Sequence, residues 1–195
     1  ARAVAAGREP SDVKIVNGVS IVAAGSDDEA QALAAEYRSY LDPEATLVLW
    51  SGWLGSDLAR FGLDEPVAVT ENEYLKSSVE QFGRGQWTLR DFVERKGIGV
   101  ETPVLVGSGA TVADELERWI TATGADGFNI TNVITPGTFE QVADHVVPEL
   151  QRRGLFKTAY RPGTLREKLF GQGPRLGPRH PAARHRRLAS KAGTT

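Results

Sequence analysis

The chain has no cysteine, no methionine and only three histidines in 195 residues. Without cysteine there are no disulfides, no thiolate nucleophile and no Cys-ligated metal. Two of the histidines, His180 and His185, fall in a C-terminal stretch dominated by Gly, Pro and Arg. The third, His145, lies off the apolar stripe of its segment and reads as a solvated helix residue rather than a base facing a pocket. Also missing are G-x-S-x-G, G-x-x-x-x-G-K-[ST], H-E-x-x-H and a G-x-G-x-x-G after a strand. No apolar run approaches the roughly 18 residues of a membrane-spanning helix. The N-terminus ARAVAAGREP has no apolar core of a signal peptide, so a cytoplasmic protein is expected. The missing Met fits either removal of an initiator or a piece of a longer protein.

What remains is ordinary globular material, 41% hydrophobic and 25% charged, enough for one domain with a core. The net charge of -2 hides an asymmetry. From Tyr160 onward there are nine basic residues and one acidic, so the body stands near -10 and the tail near +8. From about residue 171 the tail GQGPRLGPRHPAARHRRLASKAGTT has too little apolar surface to offset its ordering entropy, and disorder is expected there. It has no aromatic residue for base stacking and no folded basic face, so neither a nucleic acid nor a membrane is expected as partner.

The pattern of elements points to an α/β fold. DVKIV (12–16) is a β-branched run; Asn17-Gly18 suggests a turn or bulge before VSIVAAG. Ser26 and Glu29 form a capping pair for a helix with Ala30, Leu33, Ala34, Tyr37 and Leu41 on one side, stopped by Asp42-Pro43. Residues 44 to 106 are less regular: TLVLWSGWLG is apolar, 71 to 82 suggest a helix, and Thr88 with Asp91 marks another helix start. VETPVLVGSG reads as an extended segment ending in glycine. Thr111 and Asp114 suggest the cap of a helix closed by Gly124, strand 126–130 follows, and Thr138 with Gln141 suggests a second box. Pro148 should bend that last helix. Apolar strands alternating with helices imply parallel strands covered on both faces, with ligands bound at the strand C-termini.

Candidate site residues follow from that geometry. Asn129 and Asn132 stand where the strand 126–130 would empty into a crevice, and Asn17 where the first strand turns. Trp50, Ser51 and Trp53 offer a second group, with core packing the competing role for the tryptophans. Gly107-Ser108-Gly109, before a helix, is the one stretch suited to an anion, although such loops are commonly plain turns. Asp114, Glu115 and Glu117 favour a helix dipole, and Asp57 and Asp64 suit turns.

Five stretches, in order, resemble one family. They are GREPSDVKIVNGVS (7–20), SGWLGSDLARFGLDEPV (51–67), VGSGATVADELERWI (106–120), GADGFNI (124–130) and VVPELQRRGLFKTAYRPGTLREKL (146–169). Together they are similar to the bacterial luciferase-like FMN-dependent monooxygenases, in the subgroup of nitrilotriacetate monooxygenase component A, dibenzothiophene-sulfone monooxygenase and pristinamycin synthase. The resemblance implies the C-terminal portion of a (β/α)8 TIM barrel, a fold of about 250 residues or more. Residues 12–19 and 126–130 would be its last two strands, and about 20–106 largely an insertion, within a body of residues 1–159 followed by an extension, 160–195. It also implies that the catalytic histidine and the flavin phosphate loop lie upstream, so that no catalytic or cofactor-binding residue is assigned in this chain. The family's chemistry uses reduced FMN from a separate NAD(P)H-dependent flavin reductase, adds dioxygen to it, and oxygenates a small-molecule substrate. The expected partners are the N-terminal barrel half, the reductase and further copies of the chain. The rival expectation is a non-catalytic fragment acting as an interaction module. Two departures stand out: Gly109-Ala110 where the motif usually has Pro-Glu, and Asn17 where it usually has Pro.

Overall fold

The computed structural model describes residues 2–55, 57–64, 88–99 and 102–177, with 180, 182 and 185. The suggested helix at 71–82, and most of the tail beyond 177, lie outside them. Three parallel strands, β1 (Val16–Ala24), β2 (Val104–Ser108) and β3 (Gly127–Thr131), form one sheet in the order β2-β1-β3. The expected pair of strands is therefore joined by a third, built from the extended segment VLVGS. No turn interrupts β1: Gly18 pairs with Asn129 in an unbroken register, and the strand runs on to Ala24, through residues expected to begin the insertion. Its start is also later than expected, because Pro10–Asp12 forms a 3-10 turn that Asp12 helps to cap.

Helix α1 (Arg2–Ala5) precedes this sheet; α2 (Asp27–Ser39) follows β1, with the Ser26 hydroxyl accepting the Glu29 N–H. α3 (Pro43–Leu54) begins on Asp42, whose carboxylate accepts the Glu44 N–H at 2.8 Å, and Pro43 fills the first helical position, where no N–H is needed. α4 (Leu89–Lys96) opens with the expected Thr88–Asp91 capping box. α5 (Gly109–Thr123) links β2 to β3 and stops at Gly124, whose φ of +69° is the left-handed conformation glycine adopts cheaply. Its cap is Ser108 rather than Thr111: the Ser108 hydroxyl accepts the Thr111 N–H at 3.3 Å, so the helix starts three residues earlier than expected.

After β3 come α6 (Gly137–Gln141), a π-helical segment (Val142–Val146) and α7 (Val147–Arg152). Pro148 lacks an N–H, and the helix widens into the π turn just before it. The expected Thr138–Gln141 box is not formed. Thr138 is fully buried and its hydroxyl accepts the N–H groups of Val133 and Ile134, at 3.0 and 3.2 Å. The final helix, α8 (Leu165–Phe170), has a complete Thr164–Glu167 capping box.

Two apolar cores result. In the first, Val19, Ile21 and Ala23 of β1 meet Val112 and Leu116 of α5 and Val146 of the π segment. In the second, Leu47 and Trp50 of α3 meet Leu58 and the α4 residues Leu89, Phe92 and Val93. A fully buried Val, Leu, Ile or Phe is worth about 1.5–3 kcal/mol, against about 0–1 kcal/mol for an exposed ion pair. The two clusters therefore dominate the stability.

Candidate functional site

Because the strands are parallel, their C-terminal ends share one side, and that is where polar side chains collect. Asp27, in the first turn of α2, accepts the Ser108 N–H at 2.7 Å. That bond, with hydroxyls of Thr111 and Ser108, holds the Asp27 carboxyl below the usual carboxylate range. Gln141 spans two elements: its carbonyl oxygen accepts the Ala23 N–H at 3.3 Å, and its amide donates to the Tyr37 hydroxyl at 3.0 Å. In the loop after β3, the Asn132 amide donates to the Thr135 hydroxyl at 2.9 Å.

The sequence-derived residues are dispersed. Asn132 is exposed in that loop, where expected. Asn129 is also exposed, but in the middle of β3. Its neighbours Phe128 and Ile130 pack on the α5 core, so the alternation of a strand points Asn129 to the opposite face. Asn17 pairs in register with Phe128 at the start of β1, on the face of Val19 and at the far end from the strand C-termini. The structure thus corrects the reading of Asn17 as a strand-end residue facing a shared crevice: it and Asn129 occupy opposite faces of the sheet. The error came from a turn assigned to Asn17-Gly18, which is instead a paired strand position.

Trp50, Ser51 and Trp53 all lie on α3, and Trp50 belongs to the second core. Trp50 is 1% exposed and meets Phe92 and Trp53 edge-on, with ring centroids 5.1 and 5.2 Å away. The Ser51 hydroxyl accepts the Leu58 N–H at 2.9 Å. Trp53 is 55% exposed. Trp50 and Ser51 thus serve packing and a turn, whereas Trp53 presents a surface. Sequence reasoning missed Asp27, Tyr37 and Gln141. Asp27 had one signal, a carboxylate beside a helix cap with a glycine-flanked serine elsewhere to receive it.

Among the described residues no three His, Asp or Glu side chains cluster as a metal site would require. The glycine-rich turn suited to an anion is taken: Asp27 already holds the Ser108 N–H, and a carboxylate there repels a phosphate. These residues do not fit the phosphate of a flavin. An apolar cavity of about 530 Å³ lies between α5, β3 and α7, on the helix side of the sheet, with Leu116, Phe128 and Leu150 among its walls. No helix among the described residues is long and apolar enough to cross a membrane.

Parallel strands joined through helices, with polar loops gathered at their C-terminal ends, define an α/β fold built on a small parallel sheet. Over 190 residues the chain is 42% identical to the dimethyl-sulfide monooxygenase of Hyphomicrobium sulfonivorans, covering 95% of this chain and 40% of that one. It is 32% identical to the long-chain alkane monooxygenase of Geobacillus thermodenitrificans, covering 97% and 40%. It is 31% identical to nitrilotriacetate monooxygenase component A of Aminobacter aminovorans, covering 84% and 38%. No family model matches the chain. The crystal structure of DmoA from Hyphomicrobium sulfonivorans superposes with a TM-score of 0.82 over 94% of this chain and 40% of that one. Riboflavin lyase RcaE, solved with a modified FMN and riboflavin, gives 0.81 at 31% identity, over 95% and 42%. The chain belongs to the luciferase-like monooxygenases and spans about 40% of the length of the relatives it matches, the C-terminal portion of their barrel.

Proposed function

We propose that this chain is the C-terminal part of a two-component flavin-dependent monooxygenase acting on a small organic substrate. The observation that carries the reading is 42% identity to a named monooxygenase, sustained over 95% of the chain. Reduced FMN, delivered by a separate flavin reductase, would supply the oxygen-transfer chemistry when bound. The glycine-rich start of α5 does not hold its phosphate, because Asp27 already occupies it. That task falls to the barrel half that carries the other strands.

What this chain contributes is a wall and a lid. Asn129 and Thr131 present polar groups on the sheet face away from α5, and Asn132 extends this surface into the loop. The segment around Trp53 supplies apolar surface that excludes water from a neighbouring pocket. The test is a titration with FMN, followed by flavin fluorescence quenching, of this chain alone and mixed with the N-terminal half of the dimethyl-sulfide relative. The reading expects no binding by either part alone and saturable binding by the mixture. Absence of binding in the mixture would overturn it in favour of a non-catalytic interaction module.

A further inference from the structure

A cavity of about 520 Å³ lies between the segment that precedes β1 and the stretch around α8. Arg8 and Asp12 line it from one side; Arg166, Phe170, Gln172 and His180 line it from the other. Arg8 and Asp12 come before the first residue of β1, away from the strand C-termini where the proposed chemistry belongs.

The two guanidinium groups have only neutral partners among the described residues. Arg8 donates through one terminal nitrogen to the Asp12 carbonyl at 2.6 Å, and its Nε is buried with no acceptor. Arg166 donates to the Arg175 carbonyl at 3.2 Å and to the Gln172 side-chain oxygen at 2.8 Å, while its Cζ lies 4.9 Å from the Phe170 ring centroid. Stacking on a ring and a hydrogen bond to an amide fix the direction of the Arg166 fork without cancelling its charge. The Asp12 carboxylate is turned to other work, accepting the Glu9 N–H at 3.2 Å and the Gln172 amide at 3.4 Å. The His180 Nδ1 accepts the Ala182 N–H at 3.1 Å, so the neutral ring carries its proton on Nε2, a further donor. The cavity thus gathers donors and positive charge, and leaves one buried donor unmatched.

We infer that Arg8 and Arg166 form a binding site for a small oxyanion, a phosphate or a phosphomonoester group. Planar forks suit tetrahedral oxyanions because two N–H groups reach two oxygens at once. A phosphate oxygen at Arg8 Nε would satisfy the buried donor, and its charge would balance both guanidiniums. The site is independent of the proposed monooxygenase reading and needs no flavin at the strand ends.

The test is calorimetric titration of the 195-residue chain with inorganic phosphate, against chloride at matched ionic strength, with phosphorus NMR line broadening as a second readout. Saturable binding is expected, weakened about tenfold or more in Arg8→Gln and in Arg166→Gln. Arg38→Gln, an exposed arginine on α2 with the same charge change, should leave it unchanged. Asp12→Asn keeps the shape, removes the carboxylate among the described lining residues and should tighten binding, which guards against a folding defect in the arginine variants. Phenyl phosphate displacing phosphate where phenol does not would assign a phosphomonoester; failure of both to displace it would assign free phosphate. Binding no stronger than chloride, equal losses in all three arginine variants, or an unchanged affinity in Asp12→Asn would overturn the site.

Discussion

The same substitution, Gly→Ala, is expected to act with opposite signs at two helical positions. Gly52 lies within α3 and is exposed, and a methyl group built there meets nothing within 4 Å. Gly109 opens α5 and is buried; a methyl group there falls inside the contact distance of the His145 carbonyl oxygen. Replacing a helical glycine by alanine gains about 0.5–1 kcal/mol, mainly by restricting the unfolded chain. At Gly52 that gain stands alone. At Gly109 it is opposed by overpacking against a backbone carbonyl, which costs about 1–3 kcal/mol because a helix, not a flexible side chain, must move.

Both variants remove one glycine from the unfolded chain, so the difference between them isolates the clash. It should be about 1–3 kcal/mol, or roughly 2–12 °C in melting temperature for a chain of this size. Melting followed by circular dichroism at one fixed protein concentration, with Gly52→Ala above wild type and Gly109→Ala below it, is the expected result. Equal shifts would show that α5 and the π segment do not approach as closely as described.

Four further outcomes are expected. Trp50→Ala should cost about 3–5 kcal/mol and Trp53→Ala about 0.5–1.5 kcal/mol, read by urea denaturation; a stable Trp50→Ala chain would return Trp50 to the pocket. Thr138→Val leaves two N–H groups without their acceptor and should cost about 1–3 kcal/mol for each, with faster amide exchange at Val133 and Ile134 as the specific readout. Glu149, bonded to Arg152 and Arg153, has its carboxyl lowered to about 2. A depressed carboxylate stabilises above its unfolded value and loses that contribution as pH falls towards 2, so Glu149→Gln should flatten the acid limb of the stability profile below about pH 4.5. Arg153 bridges Glu149 to Asp114 and Glu117 and is only 18% exposed. Arg153→Gln should lower the melting temperature more at 20 mM than at about 1 M salt, and equal losses would remove the electrostatic account.

Local signals in the sequence were reliable where one physical cause acts alone. Asp42-Pro43, Gly124 and the Thr88–Asp91 box behave as their chemistry dictates, because caps and prolines are decided within four residues. The failures share a different cause. Thr111 and Thr138 each offer a hydroxyl at capping spacing, but Ser108 stands earlier, and burial turns Thr138 towards the loop behind it. Asn17-Gly18 has turn composition, yet pairing with β3 holds it in a strand. The Asp27–Ser108 bond joins residues 81 apart in sequence, and no local pattern predicts such a partner. The tryptophans were ambiguous in principle, since an apolar aromatic looks the same beside a ligand and inside a core.

The sheet itself carries the last prediction. Among the described residues β1 is paired on both sides, while β2 and β3 are each paired on one. Natural sheets guard a free edge with charge, proline or a bulge. Neither Val104–Ser108 nor Gly127–Thr131 contains a charged residue or a proline. Beside the start of the sheet, Ile15 and Val16 are 57% and 54% exposed. Unpaired, uncharged edges next to exposed β-branched side chains favour association with any strand that fits. In solution the chain should therefore sediment as concentration-dependent oligomers, and the N-terminal half of a close relative should dissolve them by pairing with the same edges. A single monomeric species at every concentration, with a cooperative melt, would mean that these edges are covered by residues of the chain itself.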